Sequence, residues 1–475
     1  MSLWRRARAR VSQAARALGA RGALAGALFI LVVVAVVLLA PESRQTPGRL
    51  GEAPGPNPTL DRLHRAPQRS DVDRDGVPNR RDPDIDGDGV RNRYDRDTDG
   101  DGRRNQLDHD IDADGKNNAF DADSDGSGDS YLAPGPARRL SPGFLGVVSD
   151  DAFWGTDADP DGSNSLAVAV AAGARVLRQS FSWSIIERAP GRYDFSLYDH
   201  FVANAAGAGL GVLPILIDPP PFRSSRPATG ARRGVYPPAS NAEFAAFAQL
   251  LVRRYGPDGG FWRANPQLPQ MPIRSWEVWN EPNLPQFWAT GPDPAAYAVM
   301  LKTLYAAIKA VDPGSRVISA GINSSSQGIG LVPFLRGMYR AGAKDSFDAL
   351  GLHPYQPGSD LVVDEIGLAV RELRRARDDA RVLVTEIGWA SGGPAARAMV
   401  VGERGQASLV RRTLPLLWRL RDRLRLDGLV YYDGRDAPSD SGARDQWGLH
   451  TGLLRADGSA KPALRAISEL ADQPL

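Results

Sequence analysis

The chain reads as an α/β protein whose main body is a (β/α)8 TIM barrel, and three observations predict that fold class. From about residue 144 onward, apolar stretches short enough to be strands alternate with amphipathic helical stretches. Eight such units fit in about 330 residues, the number a closed barrel needs. The apolar stretches also tend to end on polar or aromatic residues, at the end of the strands where a barrel keeps its sites.

The candidate strands are Phe144–Val148, Arg175–Ser180, Gly211–Ile217, Ser275–Asn280, Arg316–Ala320, Phe347–Leu352, Arg381–Thr385 and Gly428–Tyr432. Between the third and fourth, Ser240 and Glu243 form a capping-box pattern ahead of Phe244, Phe247, Leu250 and Leu251 on one helical face. After the fourth, Asp293-Pro294 opens a helix whose Tyr297, Met300, Leu301, Leu304 and Ile308 share a stripe. A doubly wound open sheet is the structural rival.

The segments before the barrel differ in kind. Residues 1–21 are basic, with Arg5, Arg6, Arg8, Arg10, Arg16 and Arg21, and an uncharged run follows at 22–40. At about 1.5 Å per residue that run nearly spans a hydrocarbon core of roughly 30 Å. Arginines before it place the N-terminus in the cytoplasm and the remainder outside the membrane. A cleaved signal peptide, which would leave a secreted protein, is the rival. Pro41 follows where cleavage would fall, so an uncleaved transmembrane signal anchor is the stronger reading. Residues 41–70 carry prolines at 41, 47, 54, 56, 58 and 67 with no apolar periodicity, and read as a disordered linker.

Residues 71–129 repeat with a period of 13 residues on the pattern D-x-D-x-D-G-x-x-N-x-x-D. The copies supply Asp71, Asp73, Asp75 and Asp82; Asp84, Asp86, Asp88 and Asp95; Asp97, Asp99, Asp101 and Asp108; and Asp110, Asp112, Asp114 and Asp121. Alternate carboxylates can converge on one hard cation, and glycine at the sixth position permits the sharp bend. This stretch has 19 Asp against 9 Lys and Arg, a charge excess that repels itself without metal. No apolar helical stretch flanks the loops, which argues against EF-hands. A solvated acidic linker is the bland alternative, and four copies in register argue against it. The copies resemble calcium-binding thrombospondin type 3 repeats without their cysteines. That resemblance implies structural Ca2+, and with the charge excess the segment reads as an irregular stalk that calcium compacts and stiffens.

Composition narrows the chemistry. With no cysteine, a thiol nucleophile, a thiolate metal site and disulfides are excluded. The net charge is +2, and no basic run interleaves with aromatics as a nucleic-acid surface would. Dinucleotide, phosphate-loop, zinc-protease and serine-hydrolase fingerprints are missing.

Two segments whose glutamates stand 105 residues apart carry the chemistry: Trp279-Asn280-Glu281-Pro282-Asn283 and Thr385-Glu386-Ile387-Gly388-Trp389. Each apolar strand ends on a carboxylate, an unfavourable place for charge unless the charge is used. Paired carboxylates at strand ends point to cleavage of a glycosidic bond, with no cofactor for catalysis. Other strand ends add Arg178, His353 with Tyr355, and Tyr431 with Tyr432. Glu277 is expected to point inward, lower in the barrel, as a buried partner.

Residues 143–471 resemble the clan A retaining glycoside hydrolases, near the cellulase-like and β-xylosidase-like branches. The resemblance implies Glu281 as general acid/base and Glu386 as nucleophile, with Asn280 on the sugar 2-hydroxyl. It implies that Arg178 and Tyr355 hold Glu386 ionised, and that His353 frames the site. Many members end the eighth strand on a tryptophan platform. This chain has Tyr431 and Tyr432 there, so Trp389 and Trp447 are the candidate substitutes. The expectation is therefore a membrane-anchored, extracytoplasmic enzyme acting on a β-linked oligo- or polysaccharide. A non-catalytic glycan-binding adhesin is the rival from another class, and a transglycosylase on the same site is a third reading.

Overall fold

The computed structural model describes residues 71–90, 92, 97–102, 112–113, 140, 143–148, 150, 153, 163–394, 398–437 and 446–471. The expected membrane anchor and linker lie outside the described residues, as do Asp95, Asp108, Asp110, Asp114 and Asp121. Among the described residues no helix is long and apolar enough to cross a membrane. The chain divides into two compact units, the repeats lying within Pro41–Arg138 and the barrel within Arg139–Leu475.

The strands are β1 Leu145–Val148, β2 Val176–Ser182, β3 Glu187–Ala189, β4 Arg192–Tyr193, β5 Gly211–Ile217, β6 Ser275–Val278, β7 Arg316–Ser319, β8 Ala349–Leu352, β9 Arg381–Ile387 and β10 Leu426–Tyr431. Eight of them close into a barrel in the order β1-β10-β9-β8-β7-β6-β5-β2, which excludes the open-sheet rival. Pairing is parallel around the ring: Val147 stands opposite Tyr431 on one side and Leu177 on the other. The small antiparallel pair β3–β4 is an insertion after β2. Leu213, Ile318 and Ala349 form a core cluster, with Val176 and Leu383 packed against it.

The helix signals of the sequence act as caps. Ser240 accepts from the Glu243 amide at the head of Asn241–Tyr255, burying Phe244, Phe247 and Leu251, while Leu250 is half-buried. Asp293 accepts from the Ala295 and Ala296 amides at the head of Pro294–Val311, which buries all five stripe residues. The Tyr297 hydroxyl of the second helix donates to the Val278 carbonyl at the end of β6 at 2.9 Å, and Phe244 of the first meets Trp279 edge-on just beyond it.

In the repeat unit, the asparagines of the first two copies are clamps. Asn79 Oδ1 accepts from the Val72 amide at 3.0 Å and Asn92 Oδ1 from the Ile85 amide at 2.9 Å, closing two loops in the same way. Asn92 Nδ2 donates to the Asp82 carbonyl at 2.6 Å and so ties the second loop to the first. Asn79 Nδ2 reaches the carbonyl of Asp112, 33 residues on, joining the first copy to the fourth. The sixth-position glycines Gly76, Gly89 and Gly102 have φ of 95°, 91° and 88°, the left-handed bend that side chains disfavour.

Candidate active site

The site is built on the C-terminal ends of the barrel strands, and Arg178 on β2, 2% exposed, ties its floor together. One guanidinium serves three acceptors. Its Nε and Nη2 meet Glu277 Oε2 and Oε1 at 2.6 and 3.0 Å, a two-point contact below the cavity. Its Nη1 meets Glu386 Oε1 at 2.6 Å, and its Nη2 also reaches Asn280 Oδ1 at 2.8 Å. Arginine only donates, so the Asn280 atom facing it is the carbonyl, and the Asn280 amino group is turned elsewhere. The Gly321 amide donates to Glu277 Oε1 at 3.1 Å, which completes an anchor for a fully buried charge.

Glu386, near the end of β9, collects favourable partners. Besides Arg178, the Tyr355 hydroxyl donates to its Oε2 at 2.7 Å, and His353 Nδ1 stands 3.5 Å from the same oxygen. Burial works to raise the pKa of this carboxyl, but His353, the Arg178 charge and the two donated hydrogen bonds outweigh it and hold it below the ordinary glutamate range. The Tyr355 phenol is pushed well up by its own burial and then by the Glu386 charge, so it stays a donor.

Glu281 has a different set of neighbours. Asn323 Nδ2 donates to its Oε1 at 2.6 Å, and His353 Nδ1 lies 2.9 Å from that oxygen. The other His353 nitrogen is 3.0 Å from Thr385 Oγ1, so the ring is pinned between β8 and β9. Acceptor atoms of Glu281, His353 and Glu386 all lie within 4.8 Å of one another. Gly321 makes room for the ring. A Cβ there would fall 2.0 Å from His353 Nε2.

Backbone geometry explains how Asn280 and Glu281 both face inward. A regular strand sends successive side chains to opposite faces. Here Trp279 and Glu281 adopt left-handed φ of 77° and 41°, which breaks the alternation just past β6. Such conformations cost on the order of 1–3 kcal/mol each and persist where surroundings impose them. Trp279 is held by Nε1–H donation to the Phe287 carbonyl at 2.7 Å and by edge contacts with Phe244 and Trp288. The Glu281 amide is fixed on the Gly321 carbonyl at 3.1 Å.

A cavity of about 350 Å3 opens over this pair, lined among others by Asn280, Glu281, Asn323, His353, Tyr355, Glu386, Tyr432 and Trp447. The Trp447 and Tyr355 rings meet edge-on with centroids 5.0 Å apart. Two sequence expectations need correction. Trp389 does not line the cavity: it is fully buried, and its indole N–H donates to the Gln356 carbonyl at 2.8 Å. Tyr431 also faces away, fully buried, with its hydroxyl on the Thr451 carbonyl and the Gln406 amide, while its neighbour Tyr432 lines the cavity. One step of strand alternation separates them. Sequence reasoning missed Asn323. Its only signal was the polar run Asn323-Ser324-Ser325-Ser326 just beyond β7.

The repeat unit holds a second set of converging carboxylates. The trios Asp71/Asp73/Asp75, Asp84/Asp86/Asp88 and Asp97/Asp99/Asp101 each bring carboxylate oxygens within 4.8 Å. Gly76 and Gly89 amides donate to Oδ2 of Asp71 and Asp84, while Oδ1 of each is buried without a hydrogen-bond partner. Asp82 Oδ2 is likewise buried and unpartnered, and burial, then the charges of Asp75, Asp73 and Asp84, raise that carboxyl above its ordinary value. Buried carboxylate oxygens without donors suit a hard cation.

No family model matches the sequence, and none of the curated proteins does. One solved structure shares the fold, and others are similar to the chain at lower scores. A glucosidase from Croceicoccus marinus is 18% identical with a TM-score of 0.51, covering 71% of this chain and 68% of that one. A family 39 glycoside hydrolase from Bacteroides cellulosilyticus WH2 is 23% identical with a TM-score of 0.48, covering 70% of this chain and 64% of its own length. A family 10 glycoside hydrolase from Paenibacillus barcinonensis is 16% identical with a TM-score of 0.48, covering 71% of this chain and 99% of that one.

Proposed function

We propose that the barrel is a retaining glycoside hydrolase that cleaves β-glycosidic bonds of an oligo- or polysaccharide by double displacement. One observation carries the reading: two carboxylates at the barrel mouth with oxygens within 4.8 Å, surrounded by unlike partners. Retaining enzymes hold their carboxyl groups about 5–5.5 Å apart, whereas inverting enzymes leave roughly 6.5–9.5 Å for a water. Two carboxyls this close carry one negative charge more readily than two. The donors gathered on Glu386 put that charge there.

In the first step a Glu386 carboxylate oxygen attacks the anomeric carbon, the glycosidic C–O bond breaks, and Glu281 gives its proton to the leaving oxygen. The product is a glycosyl ester of Glu386 with Glu281 ionised. In the second step Glu281 takes a proton from water as the water oxygen bonds to the anomeric carbon, and Glu386 leaves as carboxylate. Arg178 and Tyr355 keep the nucleophile ionised before attack and stabilise it again as it departs. The Asn280 amino group, freed by the arginine on its carbonyl, is assigned to the sugar 2-hydroxyl, and Trp447 with Tyr432 to the sugar faces.

The repeats are assigned to structural Ca2+. Asp71, Asp73, Asp75 and Asp82 would hold one ion, and the second and third trios one each. Hard oxygen donors suit that cation, and its role would be to neutralise and rigidify the segment. Anchoring by residues 22–40 with an extracytoplasmic barrel rests on the charge pattern of the N-terminal sequence.

The enzyme reading is tested by incubating the full chain with a panel of aryl β-glycosides and β-linked polysaccharides. Hydrolysis of at least one is expected. Its near-complete loss in Glu386→Ala, with sugar binding retained, is expected too. Normal turnover by Glu386→Ala would end the assignment, and binding without cleavage across the panel would favour the adhesin.

A further inference from the structure

The side chain of Asn323 cannot turn freely. Its Oδ1 accepts from the Ser325 amide at 2.8 Å, and its carbonyl is held by Asn283 Nδ2 at 3.0 Å. Its amino group is thereby aimed at Glu281 Oε1, 2.6 Å away, within a site where Asn323 and Glu281 are 7% and 6% exposed. An amide NH2 only donates, so this glutamate oxygen is held as an acceptor, which favours the carboxyl proton on Oε2. The other titratable groups facing Glu281 are His353 Nδ1 at 2.9 Å, on the same Oε1, the Glu386 carboxylate, and the Tyr355 and Tyr432 phenols that feel its charge. His353 can donate or accept according to its tautomer; Asn323 cannot change roles.

We propose that Asn323 is a positioning residue that assigns the two oxygens of Glu281 and favours its carboxylate form in the second half of the reaction. The inference rests on the retaining-hydrolase reading. During the first step the leaving oxygen needs a proton, and a donor fixed on Oε1 assigns that proton to Oε2. After the glycosyl ester forms, the Glu386 charge is gone, and Glu281 must be ionised to take a proton from water. A charged carboxylate accepts a stronger hydrogen bond than a neutral carboxyl, so the Asn323 contact is worth most in that half. Removing it should therefore slow breakdown of the glycosyl-enzyme more than its formation.

The experiment uses the full chain and the best-cleaved member of a set of 2,4-dinitrophenyl β-glycosides, whose leaving group needs no protonation. For Asn323→Ala, kcat/KM is expected to stay within about threefold of wild type, because glycosylation by-passes acid assistance. The same variant should lose about 10- to 100-fold in kcat and show a pre-steady-state burst of dinitrophenolate. Sodium azide attacks the ester without base help, so it should restore turnover and yield a glycosyl azide. Asn323→Gln, which keeps an amide donor, should recover part of the loss. A joint fall of kcat and kcat/KM with no burst and no azide response would mark Asn323 as scaffold, and unchanged kinetics would also overturn the proposal. Should Asn323→Ala fail to fold, the wild-type enzyme trapped with a 2-deoxy-2-fluoro glycoside decides by crystallography. Asn323 Nδ2 on Glu281 Oε1 with the attacking water on Oε2 is expected, and a water seated on Oε1 contradicts it. A wild type that cleaves every probe slowly without a glycosyl-enzyme would instead remove the retaining reading, and this inference with it.

Discussion

Tyr355→Phe isolates one contribution to the charge on Glu386. The substitution deletes the hydroxyl that donates to Glu386 Oε2 at 2.7 Å and keeps the ring that packs against Trp447, Tyr432 and His353. A hydrogen bond to a charged group contributes about 1.5–3 kcal/mol. One pKa unit corresponds to about 1.36 kcal/mol, so the loss is worth about one to two units. The sign follows from which form is favoured. The hydroxyl stabilises the ionised carboxylate, so without it Glu386 takes up its proton at higher pH. Arg178 at 2.6 Å still opposes protonation, which places the shift at the lower end of that range. The assay is kcat/KM against pH on an aryl β-glycoside, whose acid limb reports Glu386 in the free enzyme if it is the proposed nucleophile. That limb should move up by about one unit, with a smaller change at the optimum. An acid limb that stays put, or moves down, would mean that Glu386 is not the group whose ionisation limits activity.

Other perturbations test separate parts of the structure. Gly321→Ala drives a methyl into the His353 ring, so destabilisation of about 1–3 kcal/mol is expected in chemical unfolding, together with loss of activity from a displaced imidazole; full stability and activity would contradict the packing. Because Glu386 sits below its ordinary value of 4.5 in the folded chain, its ionised form adds stability above that pH, and this is lost as pH falls through the folded value. The Tm gap between wild type and Glu386→Gln should therefore narrow in acid, and a gap that widens would refute the depressed pKa. Calcium titration of the full chain should show several sites and a smaller hydrodynamic radius on filling, with Asp82→Asn weakening one site; no chelator-sensitive change would return the repeats to a plain acidic linker.

The barrel was legible because its periodicities are physical requirements. Each of the eight apolar stretches had to be a strand, and Ser240 and Asp293 announced the helices that they cap. The two glutamates were legible because carboxylates seldom end buried strands without a use. Finer placement depended on a backbone that leaves the rule. Period-two alternation aligns Glu277, Trp279 and Glu281 on one face. The left-handed turns at Trp279 and Glu281 instead send the indole to the helix layer and bring Asn280 in beside Glu281. The same limit misassigned Tyr431, where one residue of register decides between cavity and core. Trp389 was drawn to the site by its neighbour Glu386, yet its N–H is satisfied inside the fold by a loop carbonyl that no local pattern reveals. Asn323 went unseen because its importance comes from Glu281, 42 residues away in sequence.

Proton NMR of the first product formed by the full chain from a cleavable β-glycoside bears most directly on the paired glutamates. The proposed retaining mechanism predicts a hemiacetal that appears first in the β configuration and only later mutarotates. An initial α product would mean that water attacks directly, and Glu386 would then have no role as nucleophile.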